Sequence, residues 1–170
     1  NEDTALIGMV SRLVSHKGVD LLCAAVDELM EKNVQLVMLG TGDSVYENKL
    51  KACSDRNKGK FSLNLCFDPC LASKIYSASD IYLMPSKSEP CGLSQMIASR
   101  YGAIPVVRET GGLYDSIKGY YEEKGKIMGN GFTFANYSSE ELLERTLAAL
   151  DLWRDVEKRK KFVGKIMRTD

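Results

Sequence analysis

A polar loop with a single carboxylate is the part of this sequence best suited to chemistry. It runs from Ser86 to Gln95 and reads Ser-Lys-Ser-Glu-Pro-Cys-Gly-Leu-Ser-Gln, with the carboxylate at Glu89. An apolar run precedes the loop and an amphipathic segment follows it, which predicts a strand, a loop and a helix that starts at Gly92. Unpaired N–H groups and the positive end of the peptide dipoles at a helix start favour anions. The loop is therefore expected to combine a carboxylate with an anion site.

A second glycine-rich segment predicts another helix start of the same kind. It reads Thr110-Gly111-Gly112-Leu113. Paired glycines remove the side chains that would keep a phosphate away from the backbone amides. Two such helix starts in succession indicate a diphosphate ligand.

Cations and one aromatic residue follow two other predicted strands. Arg12 and Lys17 come after the first strand. Their position opposite the two helix starts favours contact with an anion over a role as ordinary surface charges. Phe67 follows the third strand, and either the end of a hydrophobic core or stacking on a nucleobase would fit it.

The turn Gly40-Thr41-Gly42 follows the second predicted strand. Val45 stands where a dinucleotide fingerprint has its third glycine. The turn alone is therefore weak support for a nucleotide site.

Short apolar runs alternate with helical patterns along the whole sequence. Regular alternation of this kind predicts an α/β fold, in which a mainly parallel sheet of about six strands carries helices on both faces. Ligands of such sheets bind outside the carboxyl ends of the strands, where all the residues above would meet. The predicted strands are Ala5–Val10, Gln35–Leu39, Ser62–Phe67, Asp80–Met84, Ile104–Val107 and Gly131–Phe134.

Local signals mark two further helix starts and one excursion. Ser44 with Glu47, and Ser138 with Glu141, have the spacing of a capping box. The charged segment 119–130 is expected to be an exposed excursion between the last two strands.

Composition limits the classes of function. The 170 residues fit one domain, and the formal net charge of +0 gives no general attraction to nucleic acid or an anionic membrane. Anion binding must therefore be local. Five cysteines and one histidine lack metal-ligand spacing, and no apolar run is long enough to span a membrane. These features predict a reduced, cytoplasmic protein without a bound metal.

Taken in order, the motifs closely resemble those of bacterial glycogen synthases and plant starch synthases. The EPCGL-Q segment followed by TGGL is highly specific for that family, whereas GTGD alone would not be. The matching segments are Ser11-Arg12-Leu13 through Lys17-Gly18, Leu39 through Asp43, Met84 through Met96, Arg100-Tyr101-Gly102 and Thr110 through Leu113.

The resemblance implies the GT-B arrangement, in which two Rossmann-like domains face a cleft. It also implies retaining transfer of glucose from ADP-glucose to the nonreducing end of an α-1,4-glucan, with no cofactor beyond the substrate. Residues 1–170 would be the carboxyl-terminal, nucleotide-sugar-binding domain. The amino-terminal acceptor domain would be absent from this chain, and the isolated fragment would be inactive. In a plant the location would be the plastid.

The resemblance also implies roles for individual residues. Arg12 and Lys17 would hold the donor diphosphate and stabilise charge on the departing ADP. Glu89 would orient the donor glucose through its hydroxyl groups, and Phe67 would stack on adenine. The remaining substrate-binding positions would be Gly40, Thr41, Gly42, Cys91, Gly92, Leu93, Thr110, Gly111 and Gly112.

One departure bears on the choice between related enzymes. Related glycosyltransferases carry a second glutamate eight positions after the first, and Ile97 occupies that position here. Glycogen and starch synthases also tend to lack it. Two alternatives stay open: the donor domain of a sucrose- or trehalose-type retaining glycosyltransferase, and a noncatalytic nucleotide-binding domain.

Overall fold

The computed structural model describes residues 3–169 and contains a six-stranded sheet in which every neighbouring pair of strands is parallel. The strands are β1 (Ala5–Val10), β2 (Val34–Leu39), β3 (Phe61–Asn64), β4 (Ile81–Met84), β5 (Ile104–Arg108), β6 (Tyr121–Glu123), β7 (Lys126–Met128) and β8 (Phe132–Phe134). The sheet order is β3-β2-β1-β4-β5-β8, while β6 and β7 form a separate antiparallel hairpin. All six predicted strands of the sheet are confirmed, although β3 ends at Asn64 and leaves Phe67 in a loop.

Within residues 3–169, seven α-helices and one short 3-10 turn connect and cover the strands. The turn spans Ser15–Lys17. The helices are α1 (Val19–Met30), α2 (Ser44–Arg56), α3 (Pro69–Ala78), α4 (Ser94–Arg100), α5 (Gly111–Ser116), α6 (Ser139–Arg154) and α7 (Val156–Ile166).

Only one of the two predicted capping residues caps its helix, and neither box is reciprocal, since the Glu141 carboxylate accepts from the N–H of Asn136 at 3.0 Å. The Ser138 hydroxyl accepts a hydrogen bond from a first-turn N–H of α6, as predicted. The prediction of Ser44 as a cap is wrong, because Ser44 is already helical and the extended Asp43 occupies the cap position. Glu47 still reaches back, and its Oε1 accepts from the N–H of Gly42 at 3.0 Å.

The two faces of the sheet bury different cores because side chains alternate along each strand. In β4, Ile81 and Leu83 face the larger core, which α1, α2, α6 and α7 cover. Tyr82 and Met84 face the smaller core, which includes residues of α4 and α5. Helices on both faces fix the sheet and leave its carboxyl edge as the open side.

Side chains supplement the backbone pairing between β1 and β4. Only Ile7 and Gly8 of β1 pair with β4. Beyond them, the Tyr82 hydroxyl accepts from the N–H of Val10 at 3.1 Å and lies 3.2 Å from its carbonyl oxygen. At the other end Asp80 accepts from the N–H of Leu6 at 2.8 Å. The strands are thus held together while their carboxyl ends separate.

The predicted excursion contains the β6–β7 hairpin and is closed at its base. Asn130 accepts from the N–H of Lys118 at 2.6 Å and donates to the carbonyl of Ser116 at 2.9 Å. Gly119 and Gly131 form an isolated parallel bridge. The chain therefore leaves the domain and returns to it at nearly the same point.

Candidate functional site

The candidate site lies where the strand order changes direction. The chain passes from β1 to β2 and β3 on one side and then crosses to β4 on the other. Ligands of open α/β sheets bind in the crevice that this reversal creates. Two adjoining cavities, of about 160 and 450 Å³, occupy the crevice and share Val10, Ser11, Arg12 and Ser94 in their walls.

The smaller cavity contains an ion pair. Lys17 Nζ donates to Glu89 Oε2 at 2.5 Å, and the two side chains are only 16% and 11% exposed. The buried Ser86 hydroxyl lies 3.4 Å from the same carboxylate oxygen. The structure therefore brings together two residues that are 72 positions apart, in an environment that screens charge less than open water.

The loops that carry the ion pair also contact each other through their backbones. The carbonyl of His16 accepts from the N–H of Lys87 at 2.9 Å and from that of Ser88 at 3.4 Å. Gly18 follows the 3-10 turn with φ of 76° and lies against the carbonyl of Pro85. His16 is half-buried, and its carbonyl joins the two loops.

The larger cavity lies beside the ends of β1, β2 and β3. Gly40, Thr41 and Phe67 line it together with Arg12. Phe67 is 90% exposed, so the structure excludes its alternative role in the core. Asp68 caps α3 by accepting from the N–H of Leu71 at 3.0 Å, which fixes the segment that presents the ring. Gly42 lines neither cavity and lies against the backbone of Leu13.

The two glycine-rich segments lie together behind the Glu89 loop. The N–H of Gly112 donates to the carbonyl of Glu89 at 3.0 Å. A side chain at Gly111 would meet the carbonyl of Glu89, and one at Gly112 would meet the carbonyl of Cys91. Of this group only Leu93 lines the smaller cavity, while Cys91, Gly92, Thr110, Gly111 and Gly112 line neither cavity.

The predicted start of α4 at Gly92 is wrong. Gly92 has φ of 68°, a left-handed conformation, and the helix begins at Ser94. Both α4 and α5 are short, with seven and six residues. Within the described residues, the N–H groups of Cys91, Gly92 and Leu93 donate no hydrogen bond. These unpaired amides, rather than long helix dipoles, are what this segment offers to an anion.

A buried side chain holds the two glycine segments in register. Gln95 Nε2 donates to the carbonyl of Gly92 at 2.7 Å and to the Ser116 hydroxyl at 3.1 Å. Ser116 in turn donates to the carbonyl of Gly112 at 2.7 Å. Neither this link nor the position of Ser86 in the wall of the cavity was predicted from the sequence.

The cavity walls contain two cations, Arg12 and Lys17, and two carboxylates, Glu89 in the smaller cavity and Asp68 in the larger one. In the described part of the chain, the Arg12 guanidinium makes no hydrogen bond or ion pair. Among residues 3–169, no three His, Cys, Asp or Glu side chains come close enough to hold a metal ion. None of the helices in that range has the length and apolar character needed to cross a membrane. This charge distribution suits an anionic ligand that also carries hydroxyl groups.

Comparison with known protein families identifies the family of this chain. The family model for glycosyl transferases group 1 matches residues 1–166. The chain belongs to the group 1 glycosyltransferase family. Its fold class is the one expected from the sequence, a Rossmann-like domain of the kind that forms the carboxyl-terminal half of GT-B glycosyltransferases.

The curated relatives of this group 1 glycosyltransferase include bacterial glycogen synthases. The chain is 49% identical over 170 residues to the glycogen synthase of Clostridium beijerinckii and covers 35% of that protein. It is 49% identical over 164 residues to the glycogen synthase of Alkaliphilus metalliredigens and covers 34% of it. The chain thus spans about a third of the length of these relatives.

Solved structures agree with this family. The catalytic domain of starch synthase IV from Arabidopsis thaliana, bound to ADP and acarbose, matches with a TM-score of 0.90 and 34% identity. The match covers 99% of this chain and 35% of that one. An Escherichia coli trehalose-6-phosphate protein bound with UDP-2-fluoro glucose matches at 0.69 with 17% identity over 99% of this chain and 42% of that one. That second likeness shows the fold alone.

Proposed function

We propose that this chain is the donor-binding domain of a glycogen or starch synthase. The reaction is retaining transfer of glucose from ADP-glucose to the nonreducing end of an α-1,4-glucan. The observation that carries the proposal is the Lys17–Glu89 pair beside the unpaired Arg12, where the two cavities meet. The glycogen synthases at 49% identity and the starch synthase bound to ADP support the choice of substrate.

The donor is placed along the crevice with its base in the larger cavity. A volume of about 450 Å³ is within the usual range for small-molecule sites, and the exposed ring of Phe67 offers a stacking surface. The diphosphate lies at Arg12 and Lys17. The glucose enters the smaller cavity, where Glu89 accepts hydrogen bonds from its hydroxyl groups.

The cations supply the electrostatic part of catalysis. An ammonium group has three N–H donors, so the bond from Lys17 to Glu89 leaves two for phosphate oxygens. Negative charge grows on the ADP oxygen as the glycosidic bond breaks, and fixed cations in a partly buried site stabilise it. Ile97 lies on α4 and lines neither cavity, so Glu89 acts without a second glutamate at that position.

The acceptor and the rest of the enzyme belong to the proposal as well. The relatives are about three times longer than these 170 residues, and the glucan is proposed to bind through an amino-terminal domain outside them. Chain elongation needs both partners held together, so the isolated domain is expected to bind donor weakly and to elongate little. The proposed location is the cytoplasm, and no metal or further cofactor is invoked.

Calorimetry of nucleotide binding tests the donor site. We expect ADP to bind more tightly than UDP. Lys17→Ala and Arg12→Ala should each weaken ADP binding about tenfold or more, because a hydrogen bond to a charged group contributes about 1.5–3 kcal/mol. Glu89→Gln should leave ADP affinity unchanged or higher, since Glu89 contacts the sugar and its loss frees the Lys17 ammonium. Equal binding of ADP and UDP, or none of either, would remove the ADP-glucose assignment.

Glucose transfer is tested with this domain joined to the amino-terminal half of a related glycogen synthase. The joined protein should incorporate glucose from ADP-glucose into glycogen. Glu89→Gln should reduce incorporation strongly with little change in ADP affinity. Incorporation unchanged by that substitution would contradict the role given to Glu89.

A further inference from the structure

Tyr137 lies behind the loop that carries Glu89 and contacts both sides of the proposed donor site. It belongs to the segment that joins β8 to α6. Its hydroxyl donates to Asp20 Oδ1 at 2.5 Å, in the first turn of α1. Lys87 Nζ lies 5.6 Å from the centre of its ring, and the Arg108 guanidinium carbon lies 5.7 Å from it.

Lys87 and Arg108 connect the Glu89 loop to the ring of Tyr137. Arg108 Nη1 donates to the carbonyl of Lys87 at 2.9 Å, which joins the end of β5 to the loop. Within residues 3–169, neither Lys87 nor Arg108 forms an ion pair with a carboxylate. The face of the Tyr137 ring is therefore an attractive partner that both charges share.

The hydroxyl connects the same ring to the other side of the site. Asp20 comes three residues after Lys17, which faces Glu89 in the smaller cavity. Burial and the neighbouring Asp20 carboxylate raise the pKa of Tyr137, so the hydroxyl remains a donor at neutral pH. One side chain thus links the element that follows Lys17 with the loop that contains Glu89.

We propose that Tyr137 is a positioning residue that holds the Glu89 loop against the first turn of α1 and so fixes the distance between Lys17 and Glu89. The ring does this through Lys87 and Arg108, and the hydroxyl does it through Asp20. The importance of the residue for glucose transfer rests on the proposed function. The clamp itself is a property of the chain without ligand.

Amide hydrogen exchange of the ligand-free chain tests the clamp. The N–H groups of Lys87 and Ser88 report on the loop because both donate to the carbonyl of His16. Tyr137→Leu removes ring and hydroxyl and should speed their exchange about tenfold. Tyr137→Phe removes only the hydroxyl and should speed it about threefold to fivefold. Exchange in the core of β1 should change by less than twofold in both variants.

Tyr114→Leu is the matched control. Tyr114, on α5, also carries a cation over its ring, with Lys118 Nζ 4.7 Å from the ring centre, whereas Lys87 and Arg108 lie over the ring of Tyr137. It should leave exchange of the Lys87 and Ser88 amides unchanged. An equal effect of Tyr114→Leu would overturn the assignment to Tyr137.

Two other results would overturn the proposal. The first is exchange at Lys87 and Ser88 that stays within twofold of the native rate. The second is equal acceleration in the loop and in β1, which would show a general loss of stability. If Tyr137→Leu does not fold, Tyr137→Phe decides by the same criteria. ADP titration of the native chain is a separate measurement, so absence of binding would defeat the proposed function and leave the exchange result intact.

Discussion

At the scale of single residues, close backbone contacts set the site as much as charged groups do. Gly18 adopts φ of 76°, and a Cβ there would lie 2.7 Å from the carbonyl carbon of Pro85. Gly59 has a similar φ of 82°, and a Cβ there would have no atom within 4 Å. Comparing Gly18 with Gly59 therefore separates the cost of the left-handed conformation from the cost of steric overlap.

Gly18→Ala is expected to cost at least about 3 kcal/mol of unfolding free energy. The left-handed conformation alone accounts for about 1–2 kcal/mol, and the overlap with Pro85 adds the rest because backbone cannot move aside cheaply. Gly59→Ala should cost only about 1 kcal/mol. Urea denaturation of both variants measures the difference, and equal costs would show that contact with Pro85 does not matter.

Cysteine reactivity should divide the five thiols into two groups. Burial and the neighbouring Cys53 raise the pKa of Cys23 to about 12, so almost no thiolate forms at pH 8. Cys66, Cys70 and Cys91 are exposed. A disulfide reagent at pH 8 should therefore label these three rapidly in the native chain, and the other two only after unfolding.

Bound ADP adds a second part to the same experiment. Cys66 lines the cavity proposed for the base, whereas Cys70 does not. ADP should therefore slow labelling of Cys66 and leave that of Cys70 unchanged. Equal protection of both, measured by mass spectrometry of the labelled peptides, would place the nucleotide elsewhere.

At the scale of elements, the join between β1 and β4 determines how the crevice opens. Backbone pairing stops at Gly8, and the Tyr82 hydroxyl serves the N–H of Val10 instead. Val10 lines both cavities. A single buried hydroxyl therefore fixes the strand end from which the wall of the site begins.

Tyr82→Phe is expected to destabilise the chain by about 1–3 kcal/mol. The change leaves the Val10 N–H without a partner in a largely buried position, which costs its desolvation. Tyr76→Phe is the control: the Tyr76 ring packs 5.5 Å from that of Tyr82, and its hydroxyl donates to the Ser94 hydroxyl at 3.3 Å. It should cost less than about 1 kcal/mol, as thermal unfolding can show. An equal loss of stability in both variants would show that the Tyr82 hydroxyl is no more important than that of Tyr76.

The elements were largely predictable from the sequence, because strand and helix periodicities alternate clearly from Ala5 onward. Local exceptions were not. The motif around Gly92 fits a helix start, yet the left-handed turn there depends on packing against Gln95 and Leu113.

Contacts between residues that are distant in sequence could not be predicted either. Strand order brings Lys17 to Glu89. Both residues were predicted to lie at the carboxyl ends of the strands, but their ion pair was not predicted. The hydrogen bond that the Asp80 carboxylate accepts from the N–H of Leu6 in β1 is a second contact of this kind. Tyr137 belongs to no motif and gains its contacts only when four separate segments meet.

At the scale of the whole molecule, a net charge of zero coexists with two cations, Arg12 and Lys17, in the walls of the crevice. A dianionic or trianionic ligand is therefore attracted by the site and not by the protein as a whole. Binding to the folded state alone should then stabilise the entire domain.

ADP should raise the melting temperature accordingly. At a concentration 100 times its measured dissociation constant, the stabilisation is about 2.7 kcal/mol, or roughly 5–10 °C for a domain of this size. Differential scanning calorimetry checks the shift. Lys17→Ala at the same ADP concentration should show a smaller shift in melting temperature. A shift as large as that of the native chain would show that ADP does not stabilise the domain by binding in the crevice.

Because the excursion between β5 and β8 is closed at its base, the chain can be cut within it without separating the strands of the sheet. Lys118 and Asn130 hold the two ends of the excursion together, while the tip at Lys124 and Gly125 is exposed. A protease cut at that tip would yield two pieces that stay assembled, since β5 pairs with β8 across the break. Expressed as separate polypeptides, the same pieces would constitute a complementation reporter whose reassembly depends on the intact sheet.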